Sequence, residues 1–327
     1  AMVILGILTF RANRHLPAPQ PGRVRSLTMG DPHQQRISVE DAEGTLGTAR
    51  IASRRHVSSL MTNPQGLVLG EWPGGGLPGD GPLLRWSGVG SLLTIAPPGK
   101  GKGTSTVGPA MLDYPGPIVC FDPKGENAAI WAKTRERFNH KVAVINPFAI
   151  DCIAHLQNQF DPFSFVRSGP EFVSDIQVIA DAMVMAAPGD KPHFTEAART
   201  IIAALLAYVY ETNQPPKDRN LTGVYHLLTV SPEAFDKWAE KVIAMPDFAG
   251  GLPAMGASIW LRVGHDERGS FYSTMMRQVS WLLEPRIKDL MSKSTFDLKD
   301  LMSGNLDLFI CLPNHLMSSY SRLARLM

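Results

Sequence analysis

The 327-residue sequence predicts an α/β protein, a parallel sheet with a block of helices inserted in it. Three observations predict this. A short apolar run, Leu92 to Ile95, opens into the glycine-rich turn Ala96-Pro-Pro-Gly-Lys-Gly-Lys-Gly-Thr104, and a helix-compatible stretch follows. Strand-like and helix-like stretches alternate over residues 91–148. Residues 168–285 then read almost entirely as helix, before Asn305 to Leu312 (NLDLFICL) returns to strand character.

In chain order, Met2 to Phe10 is apolar apart from Gly6 and Thr9, and the next charges, Arg11, Arg14, Arg23 and Arg25, are all positive. Nine residues span roughly 14 Å as a helix, about half a bilayer core. Basic residues after an apolar stretch belong on the cytoplasmic side. Residues 1–10 therefore read as the tail of a transmembrane helix. Residues 11–45, rich in Pro, Gln, Arg and Gly, read as a juxtamembrane linker. Gly66 to Trp72 and Leu83 to Trp86 are β-prone runs around a Gly/Pro tract at 74–82, which predicts a hairpin.

Leu92 to Ile95 reads as a buried parallel strand, and Gly108-Pro109 predicts a kink or early stop in the helix after the glycine turn. Pro117 to Phe121 and Lys141 to Ile145 are further strands, with a helix over Ala128 to Arg137 between them. Lys102, Asp122 and Asn146 each follow a strand end, where open parallel sheets carry their chemistry. Phe172, Ile176, Ile179, Ala180 and Met183 share one helical face. Thr195 to Thr212 is apolar nearly all round yet too short to span a membrane, which predicts a buried helix. Ser231-Pro232-Glu233 starts a helix that Pro246 ends, and Gly269 to Leu283 is another, stopped by Pro285.

The bulk numbers exclude some classes. Hydrophobic residues make up 44%, ordinary for a globular chain long enough for more than one domain. A net charge of +2 gives no argument for nucleic-acid binding. Cys120, Cys152 and Cys311 have no zinc-type spacing and imply no disulfide framework, which favours a reducing, cytoplasmic compartment. His193 and His265 lack a second ligand at metal spacing.

The glycine turn carries the chemistry. A strand, a Gly-rich turn ending in Gly101-Lys102 and a helix together form the layout of a phosphate-binding loop. Backbone N–H groups and a helix N-terminus cradle phosphate there, and the lysine reaches the β/γ-phosphates. ATP is the expected ligand. The pattern departs from G-x-x-x-x-G-K-[ST] at two places: Ala96 stands at the first glycine and Gly103 at the Ser/Thr position. The hydroxyl that binds Mg²⁺ is displaced by one, to Thr104, or missing. Candidate nucleotide-binding residues are Pro98, Gly99, Lys100, Gly101, Lys102, Gly103, Thr104, Ser105 and Asp122. Lys102 is the candidate catalytic residue and Thr104 the candidate Mg²⁺ ligand. Lys100 reads as a solvated turn residue. Asp122 either holds a Mg²⁺-bound water or caps the turn at Gly125. Lys124 and Glu126 read as a loop-fixing ion pair.

These residues resemble the conjugative coupling proteins of type IV secretion systems, of the TraG type. Pro98 to Thr104 is similar to that family's phosphate loop, in which glycine commonly follows the lysine. Tyr114 to Asn127, with Asp122-Pro-Lys-Gly-Glu126, resembles its next strand and motif. Asn146-Pro-Phe148 and Asp161-Pro-Phe163 resemble its Asn-Pro turns. Asn305 to Pro313 with Leu323-Ala-Arg-Leu326, and Gly44 to Ser53, also match its pattern. The similarity covers about residues 40–327.

The resemblance implies two N-terminal membrane helices and a RecA-like P-loop nucleotide-binding domain at 46–165 and 269–327. It also implies an inserted all-α domain at 166–268 that contacts the substrate. The implied assembly is a homo-hexamer whose soluble domain lies on the cytoplasmic side of the bacterial inner membrane. It receives a relaxase–DNA complex or an effector protein and passes it, using ATP, to the secretion channel. In such a ring Arg262 or Arg268, flanking His265-Asp266-Glu267, would act as a finger in trans; a solvated charge cluster is the plainer reading. DNA contact would come from the helical block or the central pore, driven by phosphate and sensitive to salt. The family's catalytic Asp-Glu strand is expected beyond Met327. Hence the intact protein reads as an ATPase and this chain alone as an inefficient one. The competing readings are a docking receptor that binds nucleotide without splitting it, and a soluble phosphotransferase.

Overall fold

The computed structural model describes residues 3–6, 54–55, 57–62, 66–72, 81–88, 92–95, 97, 99–212 and 219–327. In chain order the strands are β1 (Val3–Gly6), β2 (Leu67–Glu71), β3 (Leu83–Trp86), β4 (Ile118–Phe121), β5 (Lys141–Ile145) and β6 (Leu306–Ile310). The helices are α1 (Ser58–Thr62), α2 (Gly108–Asp113), α3 (Glu126–Arg135), α4 (Phe172–Met183), α5 (Pro192–Glu211) and α6 (Leu221–Leu228). They continue with α7 (Pro232–Ile243), α8 (Leu252–Arg262), α9 (His265–Val279), α10 (Pro285–Leu290), α11 (Leu298–Met302) and α12 (Met317–Leu326). The chain divides into two compact units, Ile7–Tyr114 and Ala1–Gly6 with Pro115–Met327.

In the first unit β2 and β3 form the expected antiparallel hairpin, with a register shift between Val68 and Gly70. Arg85 on β3 forms an ion pair with Asp113 at the end of α2, which ties the hairpin to the helix that follows the glycine turn.

The second unit holds an all-parallel sheet in the order β1-β4-β6-β5. Every residue of β6 is buried, as an interior strand of apolar sequence requires. Asp307 is the one charged residue in it, and the sheet is assembled around its side chain. Its Oδ1 accepts the Ile118 N–H at 2.8 Å, and Arg135 Nε donates to Oδ2 at 2.8 Å. Arg135 Nη2 reaches Oδ1 at 3.1 Å and the Gly116 carbonyl at 2.7 Å, while His140 Nδ1 lies 3.1 Å from Oδ2. Both side chains of the Arg135–Asp307 pair are fully buried.

Val3 to Gly6 differ from the sequence expectation of a membrane helix. They are extended and pair in parallel with β4, Val3 opposite Ile118 and Gly6 opposite Phe121. Val and Ile favour strands, and four residues are too few to sustain a helix alone. The rest of 1–10 and the linker 11–45 lie outside the described residues. Among the described residues no single helix is long and apolar enough to cross a membrane.

The helices between β5 and β6 are built around α5, in which residues 201–207 are all buried. The expected face of α4 (Phe172, Ile176, Ile179, Ala180 and Met183) is buried as a set. α8 crosses α5 at close range through Gly256, where an added Cβ would sit 2.4 Å from Ala204 Cβ. α9 buries Phe271, Met275 and Val279 and sets Phe271 edge-on to Phe194 of α5, ring centroids 5.9 Å apart. The boundary expected at residue 268 therefore falls inside α9, and the helical block runs past it. Pro285 opens α10 as well as ending the helical stretch before it, because proline suits a first helical turn.

The chain leaves the sheet and returns to it side by side. Phe160 N–H donates to the Leu290 carbonyl at 2.7 Å, and Thr295 N–H to the Gln159 carbonyl at 3.0 Å. Asn158 Nδ2 and Gln159 N–H both donate to Thr295 Oγ1 at 3.0 Å, and Asp161 N–H donates to Ser294 Oγ at 2.9 Å. α12 is fastened to the helical block by Arg322, whose Nε donates to the Met183 carbonyl at 2.9 Å and whose Nη2 donates to Gln278 Oε1 at 2.6 Å.

Three predictions follow from this packing. Gly256→Ala overpacks the α5–α8 crossing and is expected to destabilise the chain by about 1–3 kcal/mol in urea melts. Asp307→Ala leaves a buried guanidinium without its carboxylate and is expected to cost about 3–5 kcal/mol by the same measurement. Asp161 gives a pH dependence. Burial pushes its carboxyl up to about 6 from 3.8, against the Phe163 N–H bond and the charge of Arg219. The fold thus favours the protonated form: that stability is fully present below about pH 4 and is lost as pH rises through about 6. Asp161→Asn, which still accepts the Phe163 N–H, is expected to flatten this part of the stability–pH profile.

Candidate nucleotide-binding site

The glycine turn lies in the first unit. Gly99 and Gly101 adopt left-handed conformations, φ 76° and 77°, which a side chain would strain. The turn closes through Pro97, whose carbonyl accepts Lys100 N–H at 3.3 Å and Lys102 Nζ at 3.0 Å. Ser105 N–H donates to the Gly101 carbonyl at 2.8 Å, which starts the helix. That helix begins as a π-turn over Gly103–Val107, with Gly108 N–H bonded to the Gly103 carbonyl, before α2 takes over. Pro109 has no N–H to close an α-turn, so the break expected at Gly108-Pro109 takes this form.

The turn is open at its glycines. Cβ atoms built on Gly99 and Gly103 meet nothing within 4 Å, so the backbone amides can be approached closely. Lys102 is half-buried beside them, and Lys100 is exposed, as expected of a solvated turn residue. For Mg²⁺ the loop offers the hydroxyls of Thr104 and Ser105, which keep their lone pairs after donating their protons. Gly103 has no hydroxyl to offer. Thr104 Oγ1 donates to the Gly101 carbonyl at 3.1 Å, and Ser105 Oγ donates to the same carbonyl at 2.7 Å. Pro98 lies outside the described residues.

Residues 92–95 differ from expectation. They form no strand, and Leu93 and Ile95 are each 84% exposed. An apolar run becomes a buried strand only when a neighbouring strand pairs with it, and periodicity alone does not supply the neighbour.

Asp122 lies in the second unit, at the end of β4, and is buried. Its Oδ2 accepts Ala128 N–H at 2.8 Å and its Oδ1 lies 3.4 Å from Asn127 Nδ2, so the carboxylate caps the first turn of α3. Burial raises its pKa, and the Ala128 and Asn127 bonds oppose that rise. Gly125 makes the turn possible at φ 72°, where a Cβ would lie 2.9 Å from the Ile153 side chain. Lys124 and Glu126 form an exposed pair at 3.6 Å. Asn146 is buried and spans its turn, accepting Ile150 N–H and donating to the Ile153 carbonyl, both at 3.0 Å.

Arg268 and Arg262 are not equivalent. Arg268 is held by Asp236 at 3.2 Å and by the Trp260 and Leu261 carbonyls, whereas Arg262 is exposed. Among the described residues no group of His, Cys, Asp and Glu is arranged to hold a metal ion. Cys120 and Cys311 are buried free thiols, and burial pushes Cys120 up to about 12; Cys152 is exposed. Sequence reasoning missed the Pro97 carbonyl as the partner of Lys102 and the Arg85–Asp113 tie, for which spacing carries no signal.

Known proteins bear on this arrangement. The chain is 25% identical over 259 residues to the type IV secretion system-coupling protein VirD4 of Bartonella quintana (strain Toulouse), covering 76% of this chain and 39% of that protein. It is 26% identical over 278 residues to the conjugal transfer protein TraG of Escherichia coli, 78% of this chain and 43% of that one. The chain thus spans about two-fifths of the length of these relatives. Among solved structures it resembles the conjugative coupling protein TrwB, unbound (TM-score 0.50, 16% identity, 70% of this chain and 47% of that one). It equally resembles TrwB in complex with ADP and Mg²⁺ (TM-score 0.50, 16% identity, 70% and 48%). At that identity the likeness shows the fold, a RecA-like P-loop architecture with a helical domain. The family profile described as "Type IV secretory system Conjugative DNA transfer" matches residues 40–327, and the chain belongs to that family.

Proposed function

We propose that this chain is the nucleotide-binding and substrate-docking part of an inner-membrane coupling protein. In this reading the protein binds ATP and delivers a relaxase–DNA complex or an effector protein to a type IV secretion channel, working as a homo-hexamer with its soluble domain in the cytoplasm. The observation that carries the reading is the open glycine turn with Lys102 beside it, in a chain of this family. Gly99, Gly101 and Gly103 let backbone amides meet the phosphates. Lys102 exchanges the Pro97 carbonyl for phosphate oxygens, a stronger partner for an ammonium. The helix that follows adds its N-terminal dipole. ATP supplies the free energy for transfer when it is split.

Carboxylates outnumber lysines and arginines across residues 166–268, which supports protein as the cargo surface met by the helical block. Phosphate-driven contact with DNA then falls to other parts of the ring. One observation favours a second reading, a docking receptor that binds nucleotide without splitting it. The carboxylate of Asp122 is engaged in capping α3, so its role in the described residues is structural, and the catalytic carboxylate of an ATPase has to come from elsewhere in the protein.

Lys102→Ala tests the proposal. In the full-length protein it is expected to abolish nucleotide-dependent transfer and to weaken ATP binding at least about tenfold, with the thermal melt unchanged. Normal transfer by that variant would sink the assignment.

A further inference from the structure

Of the described arginines that are buried or half-buried, Arg85, Arg135, Arg199 and Arg268 each pair with a carboxylate. Arg322 on α12 does not. Its hydrogen bonds to described residues all end on neutral acceptors. Nε donates to the Met183 carbonyl at 2.9 Å, and Gln278 Oε1 lies 2.6 Å from Nη2 and 3.2 Å from Nε. Taking a guanidinium out of water without a counter-charge is costly.

Arg325 repeats the pattern one turn further along α12, on the same side of the helix. Its Nη2 donates to the Asp181 carbonyl at 2.8 Å. The carboxylates of this region are matched to other arginines, Asp190 to Arg277 at 2.7 Å and Asp181 to Arg199 at 2.9 Å. The Asp181 and Met183 carbonyls belong to the last turn of α4, so Arg322 and Arg325 also cap that helix. A helix C-terminus supplies about half a negative charge, against two positive ones here. Burial, together with the charges of Arg277 and Arg325, holds the Arg322 guanidinium below its ordinary pKa. The capping bonds occupy Nε and one N–H of Nη2. Nη1 bonds to no described residue and is not enclosed, which leaves the Nη1–Nη2 edge as a fork for two oxygens of one anion.

The charge left over selects the anion. A carboxylate or a phosphodiester brings a single negative charge. A phosphate or phosphate monoester brings about 1.5 to 2 at neutral pH, with three or more oxygens to share between two guanidiniums. We propose that Arg322 and Arg325, with Arg277 beside them, form a binding site for a phosphate dianion where α12 meets α4 and α9. The source is either free phosphate or a phosphate monoester. The site lies in the second unit, away in sequence from the glycine turn, and does not rest on the ATP-binding reading.

The test uses the full chain carrying Lys102→Ala, which removes the lysine of the glycine turn. Its melting midpoint is followed against inorganic phosphate, with chloride at equal ionic strength as the reference, and the rise yields a dissociation constant. A saturable rise is expected, and no rise beyond that in chloride would overturn the proposal. Arg322→Gln and Arg325→Gln, each added to Lys102→Ala, are expected to weaken phosphate binding at least about tenfold. A rise that both variants keep would put the anion elsewhere and overturn the site. Arg325 is exposed and makes one carbonyl bond, so Arg325→Gln decides the matter if Arg322→Gln fails to fold. Acetate serves as the carboxylate probe, and a rise equal to that in phosphate would overturn the choice of a dianion. Glycerol 3-phosphate serves as the monoester probe. Tighter binding than inorganic phosphate assigns the site to a monoester, equal or weaker binding assigns it to free phosphate, and either result supports the site.

Discussion

The buried ion pair between Asp307 and Arg135 is the interaction on which the larger unit depends. A carboxylate on an interior strand is tolerable only when its charge is matched and its lone pairs are filled. Asp307 meets both conditions by drawing on several elements at once: the Ile118 amide at the start of β4, Arg135 at the end of α3, and His140 just before β5. A one-residue slip of β6 would turn Asp307 to the other face of the sheet and strand both charges. The pair therefore fixes which strands are neighbours and in what register. It also holds α3 from its C-terminal end, while Asp122 caps the N-terminal end of the same helix. α3 is therefore held at both ends, and the loop from Asp122 to Glu126 leads into the held first turn.

Most of the carboxylates and arginines with a visible partner serve the structure in this way. Arg268 braces Asp236 and two carbonyls of α8, Arg322 ties α12 to Gln278 and Met183, and Arg277 pairs with Asp190 at 2.7 Å. At the glycine turn the bonds run within the loop itself, and the Lys102 ammonium donates to the Pro97 carbonyl at 3.0 Å, a neutral acceptor where phosphate oxygens would be stronger ones.

Periodicity and breaker residues made much of this legible. The apolar runs at Ile118–Phe121, Lys141–Ile145 and Leu306–Ile310 are strands, Ser231-Pro232 does start a helix with the Ser231 hydroxyl accepting from Ala234 N–H, and Gly108-Pro109 does interrupt one. What the sequence hid depends on partners far away along the chain. Leu93 and Ile95 have strand composition but no strand beside them, and Val3 to Gly6 have membrane-like composition but a strand to join. The end of the helical block was misjudged because α9 carries a polar first turn, His265-Asp266-Glu267, which looks like a boundary although Phe271, Met275 and Val279 follow it into the core. At the phosphate loop, spacing identified the lysine and the glycines. The hydrogen bonds that gather the Thr104 and Ser105 hydroxyls on the Gly101 carbonyl carried no signal in the spacing.

The side-by-side passage of the chain at Gln159 and Thr295 bears on the order in which the protein assembles. β5 and β6 are hydrogen-bonded neighbours, yet the whole helical block separates them in sequence. Pairing them directly from an extended chain would mean closing a very long loop, at an entropic cost that grows by about 0.6 kcal/mol for each doubling of its length. A helical block that has already collapsed around α5 brings Phe160 to Leu290 and Gln159 to Thr295, and leaves only short tethers on either side. Residues 171–290 emerge from the ribosome before β6 does. The insertion thus works as a clasp: with its two ends tied together, the span that separates β6, and Asp307 on it, from β5 is short.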